Sequence, residues 1–284
     1  MKKSNSTQRK QIGIVWVTVC SVISLLFAFP FYILLSASFK TVQELNQVPP
    51  TYFPKGFSIE SFQRLGKIGN GIWIHVTNSI ILASITVVGT VVISTLAGWG
   101  FARYPFRGRG ILFLLLLAAI MIPFQPLLIP LFLVLKTIGL SSSLLGVGLI
   151  YVAFQMPFAV FVMRNAFLDV PTALEDAGRV DGASGLKLFT SVLFPLVRPG
   201  IITVGMFAFF SSWNEYLAAM VLLQRQDSYP LPVVLQTAIV TASTGVDWSL
   251  LQAGVLATML PCLMLFFVLQ RFYISGIVAG AVKD

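Results

Sequence analysis

Hydrophobic positions in this chain gather into six long runs separated by short polar stretches: Ile12–Ser38, Thr77–Phe101, Ile111–Leu135, Leu144–Met163, Ile201–Leu223 and Leu250–Leu269. The hydrocarbon core of a bilayer is about 30 Å thick and takes about 20 mainly apolar residues per helix. In lipid every backbone polar group must be satisfied internally, so only helices and closed barrels cross, and runs of this length read as helices. The pattern predicts an all-α integral membrane protein with six transmembrane helices. It divides the chain into a polar tail over 1–11, a membrane domain over 12–270 and a second tail over 271–284.

The first run follows Lys2, Lys3, Arg9 and Lys10, and Ser36-Ala37-Ser38 imitates a cleavage site. Its apolar length exceeds the roughly 7–15 residues of a signal core, which predicts an uncleaved first span. Composition agrees with the pattern: 57% hydrophobic and 10% charged residues, with mean hydropathy +0.89. Six spans put both ends on one face. With the ends inside, 13 of the 19 Lys and Arg fall on the inner side and 6 on the outer. That excess predicts cytoplasmic termini. The formal +9 charge is thereby topology and lipid-surface charge, and no basic–aromatic interleaving points to nucleic acid.

Between spans, residues 39–76 form the largest outer loop, with Pro49, Pro50, Tyr52, Phe53, Pro54 and Phe57 predicting a packed rather than loose segment. A second outer loop covers Gln224–Ser249, with a bend at Pro230 and Pro232. Cys20 and Cys262 lie in separate apolar spans and read as small hydrophobic filler. His75 stands without companion ligands, so a surface role is expected and a metal site is not.

One inner segment departs from the hydrocarbon. Leu168–Gly200 carries four of the ten acids (Asp169, Glu175, Asp176, Asp181) and an Asp181-Gly182 turn, so it must lie at the water face. Pro171 suits a first helical turn, where its missing N–H is no loss, and Thr172 to Glu175 also fits a capping box. The helix is predicted to run to about Val180, with Gly182 taking left-handed geometry and Ser184 capping the next helix. Leu174, Ala177 and Gly178 form a narrow packing face, while Glu175 and Asp176 face water or a basic partner. A solvated interfacial helix, with Glu175 paired to Arg179 at i,i+4, accounts for the residues as well as a docking site does.

A resemblance adds to this. Glu175-Asp176-Ala177, Asp181-Gly182-Ala183-Ser184, Phe194-Pro195 and Pro199-Gly200 match in type and spacing the cytoplasmic signature of bacterial ABC importer permeases. Phe101 to Gly108, Trp213-Asn214-Glu215-Tyr216-Leu217 and the tail from Gln270 to Lys283 extend it over nearly the whole chain. The chain resembles the carbohydrate-uptake subfamily and is similar to the smaller membrane subunit of maltose-type importers. Asp176 stands where that family usually has a small Ala.

The resemblance implies a type I, MetI-like permease fold with a cytoplasmic coupling helix near Pro171–Gly182, inside a coupling segment over about 169–187. Pro171, Leu174, Glu175, Ala177, Asp181, Gly182, Ala183 and Ser184 would form the contact with an ATPase subunit, Glu175 meeting a basic group there. The implied partners are a second permease subunit, two ATPase subunits, an extracytoplasmic solute-binding protein and a sugar-like solute. ATP and Mg would be bound by the ATPase, since this chain has no GxxxxGK[ST] cradle and is not expected to be an enzyme.

Other polar positions remain open. Pro123, Pro126 and Pro130 with Gln125 break span three, which serves a kink lining the pathway and plain packing equally. Glu215 is the one acid deep in an apolar run; pathway lining competes with snorkelling or a hydrogen bond to Asn214. The 24 Phe suit stacking on sugar faces, although most belong to packing or lipid contact. A self-sufficient ion-coupled transporter or channel is the alternative, resting on Glu215 alone. A membrane-embedded enzyme lacks any catalytic or metal-binding set.

Overall fold

The computed structural model describes residues 4–69, 71–240 and 247–281, with side chains over 15–69, 71–239 and 247–270. Among these residues the chain is built of helices, with no strand. In chain order they are α1 (Ser4–Ser38), α2 (Val42–Leu45), α3 (Glu60–Gly66), α4 (Ile72–Arg103), α5 (Arg109–Ala118), α6 (Leu128–Thr137) and α7 (Leu144–Leu168). There follow α8 (Thr172–Val180), α9 (Gly185–Leu188), α10 (Phe194–Leu196), α11 (Arg198–Asn214), α12 (Leu217–Leu222), α13 (Leu231–Val240) and α14 (Trp248–Ala281).

Four stretches are long and apolar enough to cross a bilayer as single helices: Val15–Ser38, Ile72–Arg103, Leu144–Leu168 and Trp248–Gln270. Two more are bent pairs, Arg109–Met121 with Gln125–Thr137 at 94° and Gly185–Leu196 with Arg198–Asn214 at 74°. Counting each pair as one span gives six.

The third hydrophobic run is thus two helices. Pro123 is the cause: a residue before proline is pushed out of the α region, and Ile122 takes φ −78°, ψ 116°. The fifth run is also cut. Its helix begins at Arg198, with Pro199 in the first turn, and ends at Asn214; Glu215 is extended at φ −77°, ψ 127° before α12 starts.

By compactness the chain divides into Met1–Lys67 with Ala238–Met259, and Ile68–Thr237 with Leu260–Asp284. In the first unit, α1 exposes Trp16, Leu25, Leu26 and Phe27, as suits lipid. The loop after it packs on itself. Phe39 stacks on Phe57 with ring centroids 4.8 Å apart. Lys40 Nζ donates to the Thr51 carbonyl, and the buried Glu44 carboxylate accepts from Thr51 Oγ1 at 2.6 Å and from the Lys55 N–H at 3.1 Å. Arg64 forms an ion pair with Asp247, whose carboxylate also accepts from the Leu250 N–H at 3.1 Å and so caps the start of α14.

In the second unit, α4 and α7 are the paired axis and α11 packs on both. Close approach depends on small residues. A Cβ on Gly98 would lie 2.6 Å from Met163 Cβ and 2.9 Å from the Arg164 backbone nitrogen. Thr86, Thr90, Ser94 and Thr95 are buried along α4, the small polar residues typical of closely packed membrane helices. One core cluster joins Leu82, Val147, Ile150 and Tyr151 to Ala218 and Leu222. A second gathers Ala102, Met163, Phe167, Phe189, Leu193 and Val204, directly behind the polar segment.

Candidate coupling site

The polar segment folds as a helix, a tight return and a second short helix. Pro171 is the residue before α8, not part of its first turn, and Thr172 is already helical. The expected capping box does not form: Thr172 lies inside the helix, no side chain caps it, and the Glu175 carboxylate is engaged elsewhere. At the other end Gly182 takes φ +81°, where a side chain would be strained. The Gly182 N–H donates to the Arg179 carbonyl at 3.0 Å and the Ala183 N–H to the Gly178 carbonyl at 2.9 Å. These two bonds are a Schellman closure, with Asp181 at the cap and Ala183 tucked inside. Ser184 does occupy the residue before α9, yet its hydroxyl makes no capping bond; its carbonyl accepts from the Lys187 N–H at 3.0 Å.

Glu175 corrects a further expectation. It does not face water beside Asp176 but is 5% exposed. It forms an ion pair with Arg103, at the end of α4. The same guanidinium donates to the Val170 carbonyl at 2.7 Å, so one side chain grips both the entry to α8 and the helix itself. Arg179 reaches Glu175 only at 3.9 Å and Asp176 at 3.3 Å, from a side chain 61% exposed. Burial of Glu175 is made possible one turn on by Gly178, where a Cβ would lie 3.0 Å from Leu188 Cδ1 and 3.2 Å from Val192 Cγ2.

The packing face is therefore Glu175 with Gly178: Gly178 packs as expected, while Leu174 and Ala177 do not. Leu174 is 44% exposed and Val180 88%, and Ala177 lies on the open side with them. Beside this elbow, Trp99, Arg103, Tyr104, Glu175, Arg179 and Ser184 border a shallow pocket of about 190 Å³. Arg103 is the residue that sequence reasoning passed over. Its signal was a lone basic residue closing an apolar run, inside a stretch already matched to the family signature.

The candidate pathway residues are dispersed. Gln125 opens the second half of broken span three and is exposed. Asn214 ends α11, with its Nδ2 donating back to the Phe210 carbonyl at 2.8 Å. Glu215 makes no bond to Asn214. Its carboxylate accepts from the Ala218 N–H at 2.9 Å, the Ala219 N–H at 3.2 Å and the Tyr151 hydroxyl. That geometry caps α12 and ties the interrupted span to α7. Among the described residues no hydrogen bond joins Gln125 to either of the other two.

His75 is not at the surface but 2% exposed. Its Nδ1 donates to the Tyr229 carbonyl at 2.8 Å. Asn78 Nδ2 donates to the Asp227 carbonyl at 2.7 Å, and Ser79 Oγ accepts from the Leu231 N–H at 2.8 Å. Three residues near one end of α4 thus hold the first part of the second outer loop, Asp227 to Leu231. The remainder of that loop lies partly outside the described residues, as do the C-terminal side chains.

Comparison with known proteins bears on the same segment. The family described as binding-protein-dependent transport system inner membrane component matches residues 90–274, which include the whole elbow. The diacetylchitobiose uptake system permease protein DasC of Streptomyces coelicolor is 30% identical over 277 residues, covering 97% of this chain and 99% of its own. The arabinooligosaccharides transport system permease protein AraQ of Halalkalibacterium halodurans is 32% identical over 263 residues, covering 92% and 93%. The osmoprotective compounds uptake permease protein GgtD of a Synechocystis strain is 39% identical over 207 residues, covering 73% and 69%. Among solved structures, a chain of a bacterial ABC transporter involved in import of the acidic polysaccharide alginate superposes with TM-score 0.78 at 22% identity, over 96% of this chain and 99% of that one, a likeness of fold.

Proposed function

Because this chain belongs to the family of binding-protein-dependent transport system inner membrane components, the permeases of ABC importers, we propose that it carries a sugar or oligosaccharide into the cell. The relatives named for diacetylchitobiose and arabinooligosaccharides support that solute class. The work is done with a second permease, two ATPase subunits that bind ATP and Mg, and an extracytoplasmic solute-binding protein. Both termini face the cytoplasm in this reading, which the excess of inner Lys and Arg supports.

One observation carries the mechanism: a polar helix whose Glu175 is turned inward and whose apolar side, Leu174, Ala177 and Val180, is left open. Pro171, Asp181, Gly182, Ala183 and Ser184 shape the ends of that helix, which seats in a cleft of the ATPase. Closure of the ATPase pair on ATP pushes the elbow and switches the spans between inward- and outward-open states, a rigid-body transition of the hinge class. Asn214 and Gln125 face the solute path. Glu215 acts on that path indirectly, by capping the break in span five.

Reconstitution tests this reading. With all subunits in proteoliposomes, radiolabelled diacetylchitobiose or arabinotriose enters only when ATP and the ATPase subunits are present. Flux through this chain alone would instead make it a self-sufficient transporter or channel.

A further inference from the structure

The elbow is attached to the membrane domain in two ways, and only one of them is the chain itself. Covalently, α8 follows α7 after Asp169, Val170 and Pro171 and leads on through α9 and α10 into α11. Non-covalently, it is attached to α4 through Arg103, which pairs with Glu175 and donates to Val170 O at 2.7 Å. Arg103 and Glu175 are both shielded, with side chains 13% and 6% exposed. A charge pair removed from water is screened little, and breaking one partner costs far more than at a surface.

The two helices that receive these attachments cannot slide independently. At Gly98, only five residues from Arg103, the α7 backbone comes within 2.9 Å of where a Cβ would stand. Further along, Gly89 and Gly148 meet Val152 and Ile85 as closely, with hypothetical Cβ contacts of 2.7 and 2.6 Å. Trp99, one turn before Arg103, packs on Phe189 with ring centroids 4.8 Å apart and so also bears on the segment after the elbow.

We propose that Arg103 is a positioning residue for coupling: it clamps α8 to α4, so that α4, α7 and α8 move as one lever. Without it, a displacement of α8 reaches α4 only indirectly, through the link to α7 and the segment after the elbow that packs on Trp99, and the elbow can rock with less turning of α4. The proposal rests on the permease reading above and names the side chain through which force leaves the elbow.

The test uses the complete transporter in proteoliposomes, with ATP hydrolysis measured with and without its solute-binding protein as purified from cells. In the wild type the outer protein is expected to stimulate hydrolysis at the inner face, a signal that must cross the spans. Arg103→Met keeps side-chain length and removes charge. It is expected to retain unstimulated hydrolysis within about twofold of wild type and to lose stimulation at least tenfold. Arg103→Lys, with a point charge in place of the two-sided fork, is expected to keep part of the response. Full stimulation in Arg103→Met overturns the proposal. So does loss of the ATPase subunits from purified Arg103→Met complex, which would make Arg103 a docking residue. The broader reading fails differently: the wild-type chain would then copurify with no ATPase at all.

Discussion

Gly98→Ala and Gly205→Ala are the same substitution at two helical sites of one unit, and they should have opposite effects. Replacing a helical glycine by alanine gains about 1 kcal/mol of intrinsic propensity. At Gly205, in α11, the new methyl would meet Val91 Cγ2 at 3.6 Å and Val87 Cγ1 at 3.9 Å, ordinary contacts. The propensity gain survives there. At Gly98 it would stand 2.6 Å from Met163 Cβ and 2.9 Å from backbone atoms of Met163 and Arg164. Backbone cannot rotate away, so α4 and α7 must separate by several tenths of an ångström or more. Overpacking of that kind costs about 1–3 kcal/mol, and rigid neighbours put this site at the upper end. Net of propensity, Gly98→Ala should lose about 2 kcal/mol while Gly205→Ala gains up to about 1 kcal/mol. Thermal unfolding of the purified protein in detergent, followed by loss of the monodisperse peak in size exclusion, should rank Gly205→Ala at or above wild type. Gly98→Ala should lie several degrees below. Equal midpoints for the two variants would refute the claim that α4 and α7 meet backbone to backbone at this point.

Three further outcomes follow from particular contacts. Glu215→Ala should lower thermal stability by about 1–2 kcal/mol through loss of the α12 cap, and Glu215→Gln by less because an acceptor oxygen remains; equal losses would point to charge rather than capping. Asn78→Ala should speed limited proteolysis within Gln226–Tyr229 severalfold, since two carbonyl contacts from Asn78 hold that stretch; unchanged cleavage would remove the anchoring role. Acid should weaken the first unit. Burial pulls Asp247 upward, but the Ser249 hydroxyl, the Leu250 N–H and Arg64 outweigh it, and Glu44 is lowered chiefly by the Thr51 hydroxyl. Both folded-state values therefore lie below the unfolded ones. Their contribution is full above about pH 5 and is lost as pH falls through 4 and below. Midpoints measured from pH 7 to 3 should drop in that window, and less steeply in Asp247→Asn.

The all-helical membrane character was legible because hydropathy over about 20 residues is a strong, local signal. Breaks were less so. Pro123 announced a kink in span three, but a 94° bend leaves composition untouched. The break at Glu215 looked like an acid inside a helix; its partner Tyr151 sits 64 positions away, beyond any local pattern. The elbow was readable in outline, from Pro171 to the glycine turn, because caps and turns are written in adjacent residues. Its orientation was not. Glu175 and Asp176 are neighbours of like charge, and only the fold brings Arg103 to one and water to the other. His75 was misread for the same reason, its carbonyl partner lying 154 positions on.

The central claim is that the elbow is where a nucleotide-driven partner pushes. Cysteines introduced singly at the open positions Leu174, Ala177 and Val180, in a chain lacking Cys20 and Cys262, test it in intact membrane vesicles. A short thiol crosslinker should capture the ATPase subunit from these positions, with a yield that changes when MgATP is added. The same cysteines failing to capture any ATPase, while the transporter still imports solute, would contradict the account.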